Sequence, residues 1–284
     1  MIKVFRLLAI CTISIAFASI AAGQVYTTID FPGAIATSLN GGPNPEGTNI
    51  GSYTDTSGVT HGFVLKDDVF TTIDPPGSTS TTPNWISPQG TIVGGYNDAS
   101  GVPHGFILDG GQYTTVDFPS APGTTLTGLS PSGEIVGFYC RTSSCTTDHS
   151  FVRSKKGVFT TFDPPGATSS TASTVNPSGA IVGSYTDSHG VGHGYLYRGT
   201  FTTIDFPGAT FTFAGANNPE GDIVGLYTDT AAVNHAFLLS KSVFTSFDFP
   251  GAIFTDAAGI NPSGIIVGLY FDTAGVAHGF IRTL

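Results

Sequence analysis

Charged side chains are scarce in this sequence. They make up 11% of its 284 residues, against about 25% in typical soluble domains. Ten residues are basic and 20 are acidic, a balance that argues against nucleic acid or an anionic membrane surface as a partner. Hydrophobic residues still reach 40%, too many for a disordered polar chain. We therefore expect a folded, acidic protein whose polar surface consists mainly of uncharged side chains.

The sequence also lacks the common catalytic motifs. It contains no Gly-x-Ser-x-Gly elbow, no His-Glu-x-x-His pair and no phosphate-binding loop. Glycosidases need two carboxylates opposed across one bond, but the three glutamates, Glu46, Glu134 and Glu220, all fall in predicted turns. A calcium loop of the Asp-x-Asp-x-Asp-Gly type is missing too, although converging Asp side chains could still bind Ca²⁺. These absences favour a non-enzymatic protein without a resident cofactor or a dedicated metal site.

The N-terminus is typical of a secretory signal peptide over residues 1–23. Lys3 and Arg6 precede an apolar run that is too short for a comfortable membrane span, and the small residues 21–23 allow cleavage before Gln24. We expect a secreted protein with one domain over residues 24–284 and no membrane span. The mature chain would carry 8 basic and 20 acidic residues, a formal charge of −12.

Only two cysteines remain in that mature chain. Cys140 and Cys145 lie in one insertion, with four residues between them. In an exported protein this spacing predicts a local disulfide. Because the closed loop is very short, the bond would shape the loop more than it would stabilise the fold.

What the sequence does contain is one unit of about 43 residues, repeated six times. The unit is marked by Phe-Thr-Thr-Ile-Asp-Phe-Pro-Gly and its variants, whose Asp recurs at steps of 44, 43, 46, 42 and 43 residues. Each repeat offers four short runs of strand-forming residues separated by Asn-Pro-x-Gly, Asp-x-x-Gly and Pro-Gly turns. A repeat of this length and content predicts a β-propeller with one four-stranded antiparallel blade per repeat. The predicted fold is therefore an all-β, six-bladed propeller.

The two ends of the chain indicate how the ring would close. The mature chain starts with a lone first strand, Tyr26 to Asp30, and ends with a lone fourth strand, His278 to Leu284. Pairing these two strands would complete the sixth blade and remove open sheet edges. The second strand of each repeat, which is rich in small residues, would lie innermost.

The repeat resembles the HAF-type family of extracellular repeats, which is named for a His-Ala-Phe tripeptide. His235-Ala236-Phe237 is that tripeptide, and His-Gly-Phe or His-Gly-Tyr replaces it at His61, His104, His193 and His278. The third repeat departs from the pattern, with His149-Ser150-Phe151. The resemblance covers essentially the whole mature chain and implies an exported repeat protein, but it brings no established activity or catalytic residues.

Two sets of acidic residues are predicted to gather on one face, together with the repeat histidines. The first set ends strand one: Asp30, Asp74, Asp117, Asp163, Asp205 and Asp248. The second set is predicted in the turns between strands three and four: Asp55, Asp98, Asp148, Asp187, Asp229 and Asp272. Such a face would attract cations or basic groups. A residue needed in every repeat more often serves the fold, so we expect the turn Asp to accept backbone N–H bonds and the histidines to bond a neighbouring Asp or a backbone group.

Departures from the repeat are better candidates for ligand contacts. Trp85, the only tryptophan, stands on a second strand where other repeats keep small residues. It could stack on a sugar, although a large ring more often fills space, here as a plug of the axial channel. Arg141, inside the Cys140–Cys145 insertion, is the only basic residue predicted on the acidic face. Trp85, Arg141 and the strand-one Asp set are the predicted ligand-binding residues.

Three functions remain open at this point. The first is a secreted, monomeric binding module for an extracellular polysaccharide, a surface protein or a cation such as Ca²⁺. The second is a polysaccharide hydrolase or lyase that uses Asp residues at the channel mouth. The third is a structural repeat of an envelope or matrix. An unpaired Asp with a raised pKa at the mouth would favour the enzyme, whereas Asp residues satisfied by the fold would favour binding or scaffolding.

Overall fold

The computed structural model describes residues 23–142 and 145–283, so the predicted signal peptide lies almost entirely outside the described residues. The first twelve strands are β1 (Val25–Ile29), β2 (Ala36–Gly41), β3 (Asn49–Thr54), β4 (Thr60–Lys66), β5 (Val69–Ile73), β6 (Ser80–Ile86), β7 (Ile92–Asn97), β8 (Pro103–Asp109), β9 (Gln112–Val116), β10 (Gly123–Leu129), β11 (Ile135–Cys140) and β12 (Asp148–Arg153). The next twelve are β13 (Phe159–Thr161), β14 (Ser169–Val175), β15 (Ile181–Thr186), β16 (Gly192–Tyr197), β17 (Phe201–Ile204), β18 (Phe211–Asn217), β19 (Ile223–Thr228), β20 (Asn234–Ser240), β21 (Val243–Phe247), β22 (Phe254–Ile260), β23 (Ile266–Phe271) and β24 (Ala277–Thr283). Within the described ranges no helix is long and apolar enough to cross a membrane.

The strands form antiparallel sheets that follow the repeat. Three sheets contain β2–β5, β6–β9 and β10–β13 in chain order. A fourth sheet has the order β1-β24-β23-β22, so a strand from near each end of the chain pairs in one sheet, in register from Val25 with Thr283 to Ile29 with Gly279. The remaining sheet has eight strands, in which β14–β17 and β18–β21 meet through one parallel pair, Gly192 with Phe211. The predicted propeller arrangement is confirmed.

The second strand of each repeat lies at the centre of the molecule. These inner strands are β2, β6, β10, β14, β18 and β22; each contacts the next, and β22 contacts β2. One cavity takes its lining from all six. The small side chains of these strands allow six backbones to approach one another, as the sequence analysis predicts.

The hydrophobic core lies between neighbouring sheets. The aromatic residue two positions after each repeat histidine is at most 1% exposed: Phe63, Phe106, Phe151, Tyr195, Phe237 and Phe280. The Phe of the Phe-Pro-Gly turn stacks on the strand-three tyrosine, for example Phe31 on Tyr53 with ring centroids 3.6 Å apart and Phe206 on Tyr227 at 3.7 Å. Stacked rings bury large apolar areas, and here they hold the Phe-Pro-Gly turn, which leads from one sheet to the next, against the sheet.

The glycine of the Ile-Val-Gly run is required by a β-bulge. Every inner strand shifts register at one residue, and its backbone there approaches strand three. A Cβ placed on Gly268 would collide with the carbonyl oxygen of Asp256, and the same clash recurs at the equivalent glycines of the other five repeats. The recurrence of this glycine is therefore explained by the close approach of two backbones and not by a ligand.

Candidate functional site

The strand-one Asp residues, predicted as ligand-binding, are all engaged by the repeat histidines. Each accepts a hydrogen bond from the Nδ1 of one histidine at 2.8–3.0 Å. The pairs are Asp30–His278, Asp74–His61, Asp117–His104, Asp163–His149, Asp205–His193 and Asp248–His235. The predicted bond between histidine and a neighbouring Asp is thus confirmed. Each pair joins the end of strand one to the start of strand four. These carboxylates therefore stabilise the pairing of two neighbouring strands in the sheet.

In five repeats the same histidine faces a second carboxylate. The Nε2 atom lies 3.6–3.7 Å from the turn Asp, as in His61 with Asp55 and His278 with Asp272. The turn Asp itself accepts two backbone N–H bonds; for Asp55 the donors are Ser57 at 2.8 Å and Val59 at 2.9 Å. Hydrogen bonds led by that from the Ser57 hydroxyl lower the pKa of Asp55 to about 2. The hydrogen bond to Asp74 in turn raises the pKa of His61.

The third repeat breaks this pattern, and one prediction for it is wrong. Asp148 is not the first residue of the turn, because it lies on β12 opposite Cys140. Burial at this position raises the pKa of its carboxyl. Arg141, exposed directly after β11, occupies the position that Asp holds in the other five turns. The error arose because the insertion lengthens this turn by two residues and moves the acid onto the strand. The predicted disulfide between Cys140 and Cys145 is formed.

Trp85 lies far from Arg141 along the axis of the molecule. It sits on β6, next to the Asn-Pro and Ser-Pro turns of the six repeats, where a small, mostly apolar cavity of about 110 Å³ is bordered by Trp85, Leu129, Val175 and the turn prolines. Its ring packs against a core cluster that includes Val93 and Ile135. Arg141 lies on the opposite face, beside the Asp-x-x-Gly turns. The structure therefore does not bring these two predicted ligand residues into one site.

A larger cavity of about 360 Å³ occupies the centre, between the six inner strands. We call it the axial cavity. Its lining combines amide and hydroxyl groups with aromatic rings and one carboxyl group: Asn40, Thr82, Asn84, Thr127, Phe138, Thr171, Ala172, Ser173, Thr174, Phe213, Gly215, Asp256, Ala258 and Leu269. Most of these residues are partly exposed, so the lining is reachable by solvent.

Asp256 is the unusual residue of the axial cavity. Its Oδ1 is inaccessible to solvent and has no hydrogen-bond partner, and desolvation raises the pKa of this carboxyl to about 6. The other repeats place uncharged residues at the same register: Ser38, Thr82, Thr125, Thr171 and Phe213. Asp256 is not among the residues predicted from the sequence, although it departs from the repeat on an inner strand just as Trp85 does.

Metal binding finds little support in the geometry. Across residues 23–142 and 145–283, no group of three or more His, Cys, Asp or Glu side chains is placed to hold a metal ion. The strand-one Asp and turn Asp residues form an acidic rim around one face of the molecule. They are distributed in separate His–Asp sets, one for each repeat, and do not converge on a point.

The fold can be compared with proteins of known structure. No family model matches the sequence, and no curated protein matches it. Among solved structures, the chain is similar to the fungal lectin of Aleuria aurantia, described as a six-bladed β-propeller with a novel mode of fucose recognition: 13% identity, 88% of this chain and 92% of that chain covered, TM-score 0.55.

Two further structures show similar agreement. AofleA from Arthrobotrys oligospora has 13% identity, 92% coverage of both chains and a TM-score of 0.54. A protein described as TolB from Agrobacterium tumefaciens has 15% identity, covers 88% of this chain and 91% of its own, and reaches a TM-score of 0.60. At such identities the likeness is one of fold.

Proposed function

We propose that this chain is a secreted, non-enzymatic β-propeller of six blades that binds an extracellular glycan. Six blades are supported by the succession of inner strands, in which each contacts the next and β22 contacts β2. Closure of the ring by the chain ends is supported by the pairing of β1 with β24. With these blades the molecule would be a monomeric disc with the axial cavity at its hub.

The observation that carries glycan binding is the lining of the axial cavity. Sugars present hydroxyl groups that donate and accept hydrogen bonds, and apolar C–H faces that pack on aromatic rings. Around one space the cavity offers the amides of Asn40 and Asn84, threonine hydroxyls, and the rings of Phe138 and Phe213. Its volume of about 360 Å³ lies within the range of small-molecule sites. The similarity in fold to a fucose-recognising lectin adds support.

The rival enzymatic function draws on Asp256. A carboxyl with a raised pKa resembles a general acid and is a feature that favours a hydrolase or lyase. Glycoside hydrolysis requires a second carboxylate across the bond, whereas among the described residues that line the axial cavity only Asp256 carries one. The geometry therefore supports binding better than cleavage.

Export and family membership are parts of the same proposal. The signal-peptide pattern over residues 1–23 and the disulfide between Cys140 and Cys145 both suit an extracellular protein. The HAF-type repeat pattern points the same way. A structural role in an envelope or matrix, or a protein partner for the acidic rim, would require no ligand in the axial cavity.

The test is retention of purified residues 24–284 on a panel of immobilised polysaccharides, with and without Ca²⁺, followed by mass spectrometry of the supernatant. We expect retention without release of low-mass products and without a requirement for Ca²⁺. Release of fragments would replace the binding module by an enzyme. Absence of retention on every polysaccharide would refute glycan binding and leave the scaffold role.

Three alanine variants locate the site. Phe213→Ala alters the axial cavity, Trp85→Ala the Asn-Pro face, and Arg141→Ala the insertion on the opposite face. We expect Phe213→Ala to weaken retention by up to about tenfold, because stacking contacts of an aromatic ring are worth about 0.5–1.5 kcal/mol. Loss of retention in Trp85→Ala or Arg141→Ala, with Phe213→Ala unchanged, would move the site to one of the residues predicted from the sequence.

A further inference from the structure

The axial cavity has one carboxyl group in its lining, that of Asp256, which is suited to a positively charged hydrogen-bond donor. We propose that it binds a primary ammonium group against Asp256, carried by an amino sugar or by a simple alkyl amine. This inference rests on the proposed glycan-binding function and specifies the chemical group that the site reads.

The first step is the isolation of Asp256. The strand-one carboxylates are each held by a histidine at 2.8–3.0 Å, whereas Asp256 Oδ1 is inaccessible and makes no hydrogen bond. A buried charge without a partner is costly and is found where a ligand or a reaction requires it. Asp256 also breaks the repeat, because the other five inner strands carry uncharged residues at its register.

The second step is the direction of the surrounding hydrogen bonds. Asn40 Nδ2 donates to the Pro83 carbonyl at 2.9 Å, and Asn84 Nδ2 donates to the Leu126 carbonyl at 2.9 Å. Thr127 Oγ1 likewise donates to the Ala172 carbonyl at 2.7 Å. These donors are used between neighbouring inner strands. Asn40 Oδ1 also accepts from Ser38 Oγ at 2.8 Å, so the oxygen lone pairs that the lining keeps for a ligand are mainly those of Asn84 and Thr127. Such a lining favours a group that only donates, as an ammonium does.

The third step separates an ammonium from a metal ion. Ca²⁺ takes six to eight oxygen ligands, usually with several carboxylates, whereas the described lining provides one carboxylate. An ammonium needs about three acceptors, which one carboxylate and two neutral oxygens can supply. The rings of Phe138 and Phe213 in the same lining also suit an organic cation.

The carboxyl must be ionised to hold the ammonium, which makes binding sensitive to pH. The adjoining inner strands β2 and β18 carry no titratable residue, and the other strands packed on β22 carry Tyr227, His235 and Tyr270, none of which lines the cavity. Burial raises the pKa of Asp256 to about 6. Affinity for the amine should therefore level off above about pH 7, until the amine itself loses its proton, and fall toward tenfold per pH unit well below 6.

The experiment measures dissociation constants by calorimetry for glucosamine, glucose, N-acetylglucosamine and n-butylamine at pH 7.5. Glucose is the neutral counterpart of glucosamine, N-acetylglucosamine removes the charge but keeps the nitrogen, and n-butylamine carries the charge without a sugar. The variants are Asp256→Asn and, as a control for net charge, Asp109→Asn, which alters an exposed residue at the end of β8. The wild-type titration is repeated at pH 5.

We expect glucosamine to bind at least tenfold more tightly than glucose or N-acetylglucosamine, and this preference to fall below twofold in Asp256→Asn. At pH 5, about one unit below the pKa of the carboxyl, we expect the preference to fall by about tenfold. Asp109→Asn should keep the preference. Binding of n-butylamine alone, with the same dependence on Asp256, would support the ammonium site and assign it to alkyl amines. A preference that survives Asp256→Asn, or equal binding of amine and neutral sugar, would overturn the inference. Retention on neutral polysaccharides would then still uphold glycan binding.

Discussion

Replacing Asp256 by Asn should make the unliganded protein more stable at neutral pH. The carboxyl titrates at a pKa of about 6 in the folded state, against a reference value of 3.8. Each unit of difference corresponds to about 1.4 kcal/mol, so ionisation of Asp256 opposes folding by at most about 3 kcal/mol. Oδ1 is inaccessible, but the residue as a whole is partly exposed, and water in the cavity reduces the effect. We expect a gain of about 1–3 kcal/mol, or roughly 5 °C in melting temperature.

The sign of this effect fixes its dependence on pH. A carboxyl whose folded pKa is raised binds more protons in the folded state, so its protonation favours folding at low pH and that benefit is lost as pH rises from about 3.8 to 6. The variant cannot ionise at this position. The difference in unfolding free energy between variant and wild type should therefore be near zero at pH 3.5 and reach its full size above pH 7.

Chemical denaturation of both proteins at pH 3.5, 5, 6 and 7.5 provides the measurement. Asp109→Asn serves as the control, because it removes one charge from an exposed site and should change the stability little at any pH. An Asp256→Asn variant less stable than wild type at pH 7.5 would show that the carboxylate has a stabilising partner, and a difference independent of pH would show that its pKa is not raised. Either result would remove the basis of the ammonium site.

Three further outcomes follow from the fold. Deleting residues 25–31 should unfold or aggregate the protein, because β24 loses one of its two partner strands and its edge is left open; a deletion variant that melts like the parent would contradict ring closure. Gly268→Ala should cost about 2 kcal/mol in chemical denaturation, since its Cβ meets the Asp256 carbonyl. Gly95→Ala should cost far less, because its Cβ would approach the end of the Thr125 side chain at 3.3 Å and the His104 carbonyl at only 3.8 Å. Asp272→Ala should lower the melting temperature above pH 4, because hydrogen bonds led by that from Val276 lower the pKa of Asp272. This loss in melting temperature should shrink as pH falls below the usual Asp range, and a loss that persists at pH 2 would contradict the linkage. Asp272→Asn should preserve part of the hydrogen bonding.

The sequence predicts most of what the repeat determines. Period, turn residues and strand content gave the propeller arrangement, the order of strands and the central place of the second strand. The bond between histidine and Asp was predictable as well, because both residues recur at fixed positions and a recurring polar pair has to be satisfied in the folded state. Short-range rules suffice for such features, since every repeat presents the same local environment.

The errors and omissions lie where the repeat is broken. Asp148 was assigned to a turn because a spacing rule cannot say on which side of an insertion the strand resumes. Asp256 was overlooked because its importance depends on burial, which follows from the meeting of six inner strands and not from its neighbours in sequence. Its raised pKa could be obtained only after the cavity around it was known.

Asp256 also sets stability and ligand binding in opposition. If its ionisation destabilises the free protein, a bound ammonium restores part of that loss, because the ligand supplies the missing partner to the carboxylate. Saturating glucosamine should then raise the melting temperature of the wild type by more than that of Asp256→Asn, and narrow the gap between them. Equal shifts in the two proteins would mean that the sugar binds without using Asp256. Asp256 weakens the fold and departs from five uncharged counterparts, and binding of an ammonium group would explain both properties.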